Sequence, residues 1–284
     1  MLTTLVKRHP VASYILLAYA CSWAIALPLA LQAQHVIATR IPFALHYVSG
    51  LGPAIAALIL TQLLGRARPK EGRPDRPDGG GHSTPWLLVG FASPLLLLAV
   101  AQLAGRILGQ STPTWTALGQ VNFLPDLGLA AWGLWFVANG LGEELGWRGF
   151  FLPRLQRSHS ALASSLLLSI AWAGWHLPAF FYVPSYVALG LRVLPGFFLG
   201  ILAGAIVLTW LYNGSRGSVL AVALWHGSFN FVSASPAASG FAAAVTSSLV
   251  MVWAVVVVWR YGAASLSAVP KQVMPTGVLA TGEA

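Results

Sequence analysis

Eight apolar stretches, near residues 11–33, 41–65, 86–108, 127–151, 163–182, 193–212, 217–236 and 240–259, constrain what this chain can fold into more than any other feature. Each is long enough to cross about 30 Å of hydrocarbon as a helix. Strands are excluded on two grounds: the runs lack two-residue alternation, and an open sheet edge cannot face lipid. Composition agrees, with 57% hydrophobic and 8% charged residues among 284 and a mean hydropathy of +0.72, where a soluble domain carries roughly 25% charged residues. The sequence therefore predicts an all-α polytopic membrane protein in which about eight transmembrane helices enclose a polar intramembrane cavity.

The net charge of +9 does not point to nucleic acid, because the basic residues form no stripe with interleaved aromatics. They lie between apolar runs, where lipid head groups and the positive-inside rule account for them. With the N-terminus inside, every Lys and Arg except Arg40, Arg106 and Arg192 falls on the cytoplasmic side, so both termini are expected there. The opening "MLTTLVKRHP" reads as the flank of a retained first span, since the apolar run after it continues for about 22 residues without a small-residue cleavage pattern. Residues 1–260 are expected to form one transmembrane domain with a core at 127–235 and a flexible cytoplasmic loop at 65–85, followed by a disordered tail at 261–284. The single Cys21 excludes an internal disulfide and a cysteine metal cluster.

Of the seven acidic residues, Glu71, Asp75, Asp78, Asp126 and Glu283 fall in loops or the tail, and Glu143 and Glu144 lie inside a span. A charge near the bilayer centre costs about 2.5–3.5 kcal/mol on insertion scales, so "LGEELGWRGF" demands a reason. Glu144 and Arg148 are four residues apart with the acid first, the favourable order for an ion pair on one helix face. Glu143 is turned about 100° away and points elsewhere. In "AWAGWHLP", Trp172 and His176 share a face, and in "LWHGSFNF" so do His226 and Asn230. Counted along their helices at 1.5 Å per residue, Glu143, His176 and His226 lie at depths that agree within about 8 Å, so they can line one cavity. His46 stands alone, and its expected role is a helix-to-helix hydrogen bond. Gly142, Gly146 and Gly149 are expected to permit close helix approach, and Pro178 and Pro195 to kink or end helices.

Three motifs in this order, "EELGWR", "WAGWH" and "HGSFN", resemble those of the CAAX prenyl protease and bacteriocin-processing family of intramembrane endopeptidases, also called the Abi family. The resemblance covers about Leu127 to Ser235. It implies that Glu143 and His176 activate a water, that His226 and Asn230 form the oxyanion hole, and that Glu144, Arg148 and Trp172 support them. Family members usually carry phenylalanine where this chain has Trp172, a difference expected to affect packing more than chemistry. The residues themselves suit such a reaction: a carboxylate held away from water is a stronger base, and hydrolysis needs a base, oxyanion donors and a proton for the leaving amine.

The preferred reading is an intramembrane protease with no cofactor, working on a membrane-associated peptide or protein substrate among membrane lipids. A zinc form of the same enzyme, with Glu143, His176 and His226 as ligands, is the competing reading within that class. From other classes come a proton-coupled transporter and a non-catalytic scaffold or immunity protein. Polar motifs confined to the fourth, fifth and seventh spans, without an inverted repeat, weigh against the first, and the retention of costly polar groups weighs against the second. The compact chain suggests a bacterial cytoplasmic membrane, and the oligomeric state is left open.

Overall fold

A computed structural model of the chain describes residues 2–65, 83–120 and 125–274. Most of the expected loop at 65–85 and the end of the expected tail, residues 275–284, lie outside them. Among the described residues no strand occurs, and eight helical segments follow the eight apolar stretches. These are α1 (Pro10–Ala33), α2 (Leu45–Leu64), α3 (Ser83–Ile107), α4 (residues 131–155), α5 (Ala161–Trp175), α6 (Leu194–Gly214), α7 (Val219–Ala234) and α8 (Phe241–Ser265). Five of them, α1, α2, α3, α6 and α8, are long and apolar enough to cross a membrane. Large apolar side chains such as Leu16, Leu96, Val255 and Trp259 are exposed on these helices, which suits a lipid-facing wall. The chain is an all-α integral membrane protein.

The other three segments, α4, α5 and α7, carry the polar motifs and are shorter or irregular. The α4 segment alternates α-helical Ala131–Trp135, Gly142–Gly146 and Leu152–Leu155 with π-helical Phe136–Leu141 and Trp147–Phe151. Such π turns widen a helix and recur at functional sites. A single α-helical span over 163–182 is not what forms. The α-helix ends at Trp175, and a tighter 3-10 turn covers Leu177–Phe181. Pro178, lacking an N–H, cannot continue the α-helical ladder. Pro195 stands in the first turn of α6, where a missing N–H costs nothing. Ser160 and Ser218 start α5 and α7 by accepting hydrogen bonds from Ala163 N and Ala221 N, each at 3.2 Å.

The α4 segment is clasped from two sides through glycines. A Cβ on Gly227 of α7 would stand 2.7 Å from Phe136 Cα, and one on Gly142 would stand 2.8 Å from Gly50 O at the kink of α2. Gly146 is equally confined by Pro53 and Tyr14, whereas Gly149 has ordinary clearance of 3.6 Å to Val219, so the close approach expected of three glycines is made by two. The ring of Tyr14 on α1 stacks on Phe150 and Phe151 with centroids 5.2 Å apart, which fixes the end of α4 beyond Arg148.

The last helix reaches Ser265, and residues 266–274, expected to hang free, are tied to the bundle. Leu266 is fully buried. Gln156 and Asn213 exchange side-chain hydrogen bonds of 3.1 and 2.8 Å, and the same pair holds Ser265 O and Gln272 N and O. The physical reason is that two buried amides leave donors and acceptors which the returning backbone satisfies.

Candidate active site

Glu143, with 1% of its surface exposed, has both carboxylate oxygens engaged. Asn139, one turn earlier in the first π turn of α4, donates from Nδ2 to Oε1 at 2.9 Å. Trp172 of α5 donates from its indole Nε1 to Oε2 at 2.7 Å. Glu144, rotated around the helix as expected, takes two hydrogen bonds from Arg148 NH1, at 2.7 and 3.0 Å, and both residues are fully buried. Its Oε1 also accepts from His226 Nδ1 at 2.7 Å.

The two histidines are fixed in their tautomers by what they touch. His176 closes the C-terminus of α5, and its Nδ1 lies 2.8 Å from the carbonyl oxygen of Trp172. A carbonyl only accepts, so Nδ1 carries the proton and Nε2 is the free nitrogen. His226 likewise donates from Nδ1 to the Glu144 carboxylate, which leaves its Nε2 turned toward Glu143, 4.0 Å from Oε1. That gap is too long for a direct hydrogen bond and leaves room for one oxygen atom within reach of both groups. Arg148 stacks over the Trp172 ring at 4.8 Å from its centroid, and His226 meets the same ring edge-on at 5.3 Å.

Glu143, Asn139, His176, His226 and Asn230 line one cavity of about 490 Å³. The rest of its wall includes the aromatic rings of Trp175, Tyr186 and Phe197, and Gly196, Gly200 and Gly204 of α6 have open space before them. Every residue singled out by the sequence is thus brought to one place, with Glu144 and Arg148 just behind the cavity wall. Glu143, His176 and His226 do not make a three-residue group suited to hold a metal ion among the described residues.

Three features were not anticipated. Trp172 is a hydrogen-bond donor to Glu143, so its difference from phenylalanine is chemical as well as steric. Asn139 was overlooked although it stands four residues before Glu143, the spacing that makes side chains meet on a helix. His46 makes the helix-to-helix bond expected of it, Nδ1 to Tyr182 OH at 2.8 Å, but it also lines the cavity.

Comparison with known proteins bears on the same segment. The family model for type II CAAX prenyl endopeptidases, Rce1-like, matches residues 125–232, which contain α4, α5, most of α7 and the polar groups Asn139, Glu143, Glu144, Arg148, Trp172, His176, His226 and Asn230. In this segment the chain is similar to the CAAX prenyl protease family. CAAX prenyl protease 2 of Methanococcus maripaludis is 36% identical over 92 residues, covering 30% of this chain and 32% of that protein. The chain therefore matches about a third of the relative's length.

Proposed function

We propose that the chain is an intramembrane endopeptidase that hydrolyses peptide bonds of membrane-associated peptides or proteins. The observation that carries this reading is the geometry around Glu143: a buried, doubly held carboxylate facing two histidines whose Nε2 atoms are both left for the cavity. In the proposed reaction Glu143 removes a proton from a water that His176 Nε2 also holds. The water oxygen bonds to the scissile carbonyl carbon, and the negative charge moves to the carbonyl oxygen. Asn230 and His226 donate to that oxyanion. His226 offers a proton from Nε2 only as an imidazolium, because Nδ1 already donates to Glu144; the Glu144–Arg148 pair sets its orientation. When the tetrahedral species collapses, the C–N bond breaks and the proton taken up by Glu143 passes to the leaving nitrogen.

The reaction is written without a metal, with Glu143 and His176 holding the water themselves. We further propose a bacterial cytoplasmic membrane, as the compact chain suggests, with both termini cytoplasmic on the distribution of Lys and Arg. The test uses purified protein in liposomes with an internally quenched peptide ending in a farnesylated CAAX sequence, chosen after the relative's name, and its unprenylated counterpart. Glu143→Gln and His176→Ala are expected to lower cleavage by about 10²–10⁴-fold, the range for removing a general acid or base. Cleavage that survives chelation supports the metal-free form. No Glu143-dependent cleavage of either peptide overturns the proposal.

A further inference from the structure

Glu143 is gripped at both oxygens by N–H groups from two different helices, and neither donor has a purely structural reason to point there. Asn139 comes from the π turn Phe136–Leu141 of α4, and Trp172 from the last turn but one of α5. An indole N–H can only donate, so the Trp172 bond requires an acceptor oxygen at Glu143 Oε2. With Asn139 Nδ2 on Oε1, the two donors together fix the plane in which the carboxylate lies. The Trp172 side chain is not free to turn away. The Trp172 ring is buried between the Arg148 guanidinium, 4.8 Å from its centroid, and the edge of His226, at 5.3 Å. Asn139 and Glu143 are joined by a single helical turn whose neighbour Gly140 is pressed against Ala223 of α7.

We propose that Asn139 and Trp172 are positioning residues for the hydrolytic reaction, a two-donor clamp that fixes the carboxylate plane of Glu143 and aims it at the cavity. The inference rests on the reading of Glu143 as the base. A leucine at 139 or a phenylalanine at 172 fills much of the same space and lacks the donor. The clamp therefore acts on the chemical step, while substrate binding depends on the cavity wall. It also connects the two carboxylates: Trp172 touches Glu143 through its N–H and Arg148 through its ring face, so the buried ion pair steadies the group that steadies the base.

The test measures kcat and KM with the farnesylated quenched peptide for Trp172→Phe, Asn139→Leu and a Trp172 variant carrying 3-benzothienylalanine, in which ring sulfur replaces the N–H at nearly unchanged shape. Each is expected to lower kcat about 10–100-fold, the usual loss when a partner that orients a reacting group is removed, with KM within about twofold. Detergent melting of the benzothienylalanine variant should match the wild type, and this variant carries the test if Trp172→Phe does not fold. Wild-type kcat in the benzothienylalanine variant, or in Asn139→Leu, overturns the clamp, as does a loss confined to KM. Glu143→Gln is run alongside: if it stays active the base assignment itself fails, whereas a dead Glu143→Gln beside fully active clamp variants sinks this inference alone.

Discussion

Replacing Arg148 by methionine tests whether Glu144 is a buried carboxylate held by a single cation. Both residues are fully buried, and Arg148 reaches Glu144 with NH1 alone, at 2.7 and 3.0 Å; its Nε and NH2 have no hydrogen-bond partner. Methionine fills the space of the arginine stem, so the loss is mainly electrostatic. Two charge-assisted bonds at about 1.5–3 kcal/mol each vanish, partly offset because two unpartnered N–H groups are no longer buried. The expected cost is about 3–5 kcal/mol, the range for breaking a buried pair from one side. Combining Glu144→Gln with Arg148→Met removes both charges and keeps an acceptor for His226 Nδ1, so the double variant should be more stable than Arg148→Met by about 2–4 kcal/mol. Unfolding in mixed detergent micelles, followed by the fluorescence of the twelve tryptophans, measures both variants against the wild type. A double variant no more stable than Arg148→Met refutes the reasoning, since it would mean that the carboxylate left by the single change carries no penalty.

The clasp around α4 predicts that Gly227→Ala, whose Cβ would stand 2.7 Å from Phe136 Cα, destabilises by about 1–3 kcal/mol in the same unfolding assay, while Gly149→Ala, with 3.6 Å of clearance, leaves the midpoint unchanged. Gly200→Leu projects a side chain into the cavity from a backbone with open space before it, so peptide cleavage should fall with no loss of stability in a melt. Asn213→Leu removes the acceptor of Gln272 N and the donor to Ser265 O; limited proteolysis should then cut within 266–274, and unfolding should show a loss of about 1–3 kcal/mol for the polar groups left unpaired.

The fold was legible because hydrocarbon imposes a length on every apolar run, and each of the eight runs became a helical segment. What a hydropathy pattern cannot express is how backbone hydrogen bonding shifts within a run. The π turns at Phe136–Leu141 and Trp147–Phe151 leave hydropathy unchanged, so the irregularity of α4 was invisible. Pro178 did announce a helix end. The pairing of Glu144 with Arg148 follows from four-residue spacing, and so does that of Asn139 with Glu143; the second was missed because an asparagine in an apolar run is a weaker signal than a charge. The Trp172 bond to Glu143 and the His226 bond to Glu144 join helices 29 and 82 residues apart in the chain, and local spacing carries no information about them. The docking of residues 266–274 was hidden for the same reason: it depends on two buried amides far away in sequence.

The irregular helices and the polar site explain each other. A long, regular, apolar helix satisfies its own backbone and can face lipid, which is how the five long spans behave. A charged pair, two histidines and a held carboxylate cannot face lipid, so the segments that carry them must be enclosed. Enclosure relieves those segments of the need to span the bilayer in regular geometry, and they can afford a widened turn or an early stop where the chemistry needs one. His176 is reachable from the cavity because α5 stops there, and Asn139 meets Glu143 across a widened turn. If that reasoning holds, restoring regularity should harm activity more than stability. Deleting Val137 takes one residue out of the Phe136–Leu141 π turn and should let α4 run as an ordinary helix there. The flanking turns keep nearly their present orientation while the turn that brings Asn139 to Glu143 narrows, so the protein should lose peptide cleavage while still unfolding cooperatively in detergent. A deletion variant that cleaves at the wild-type rate would show the π turn to be incidental to the site.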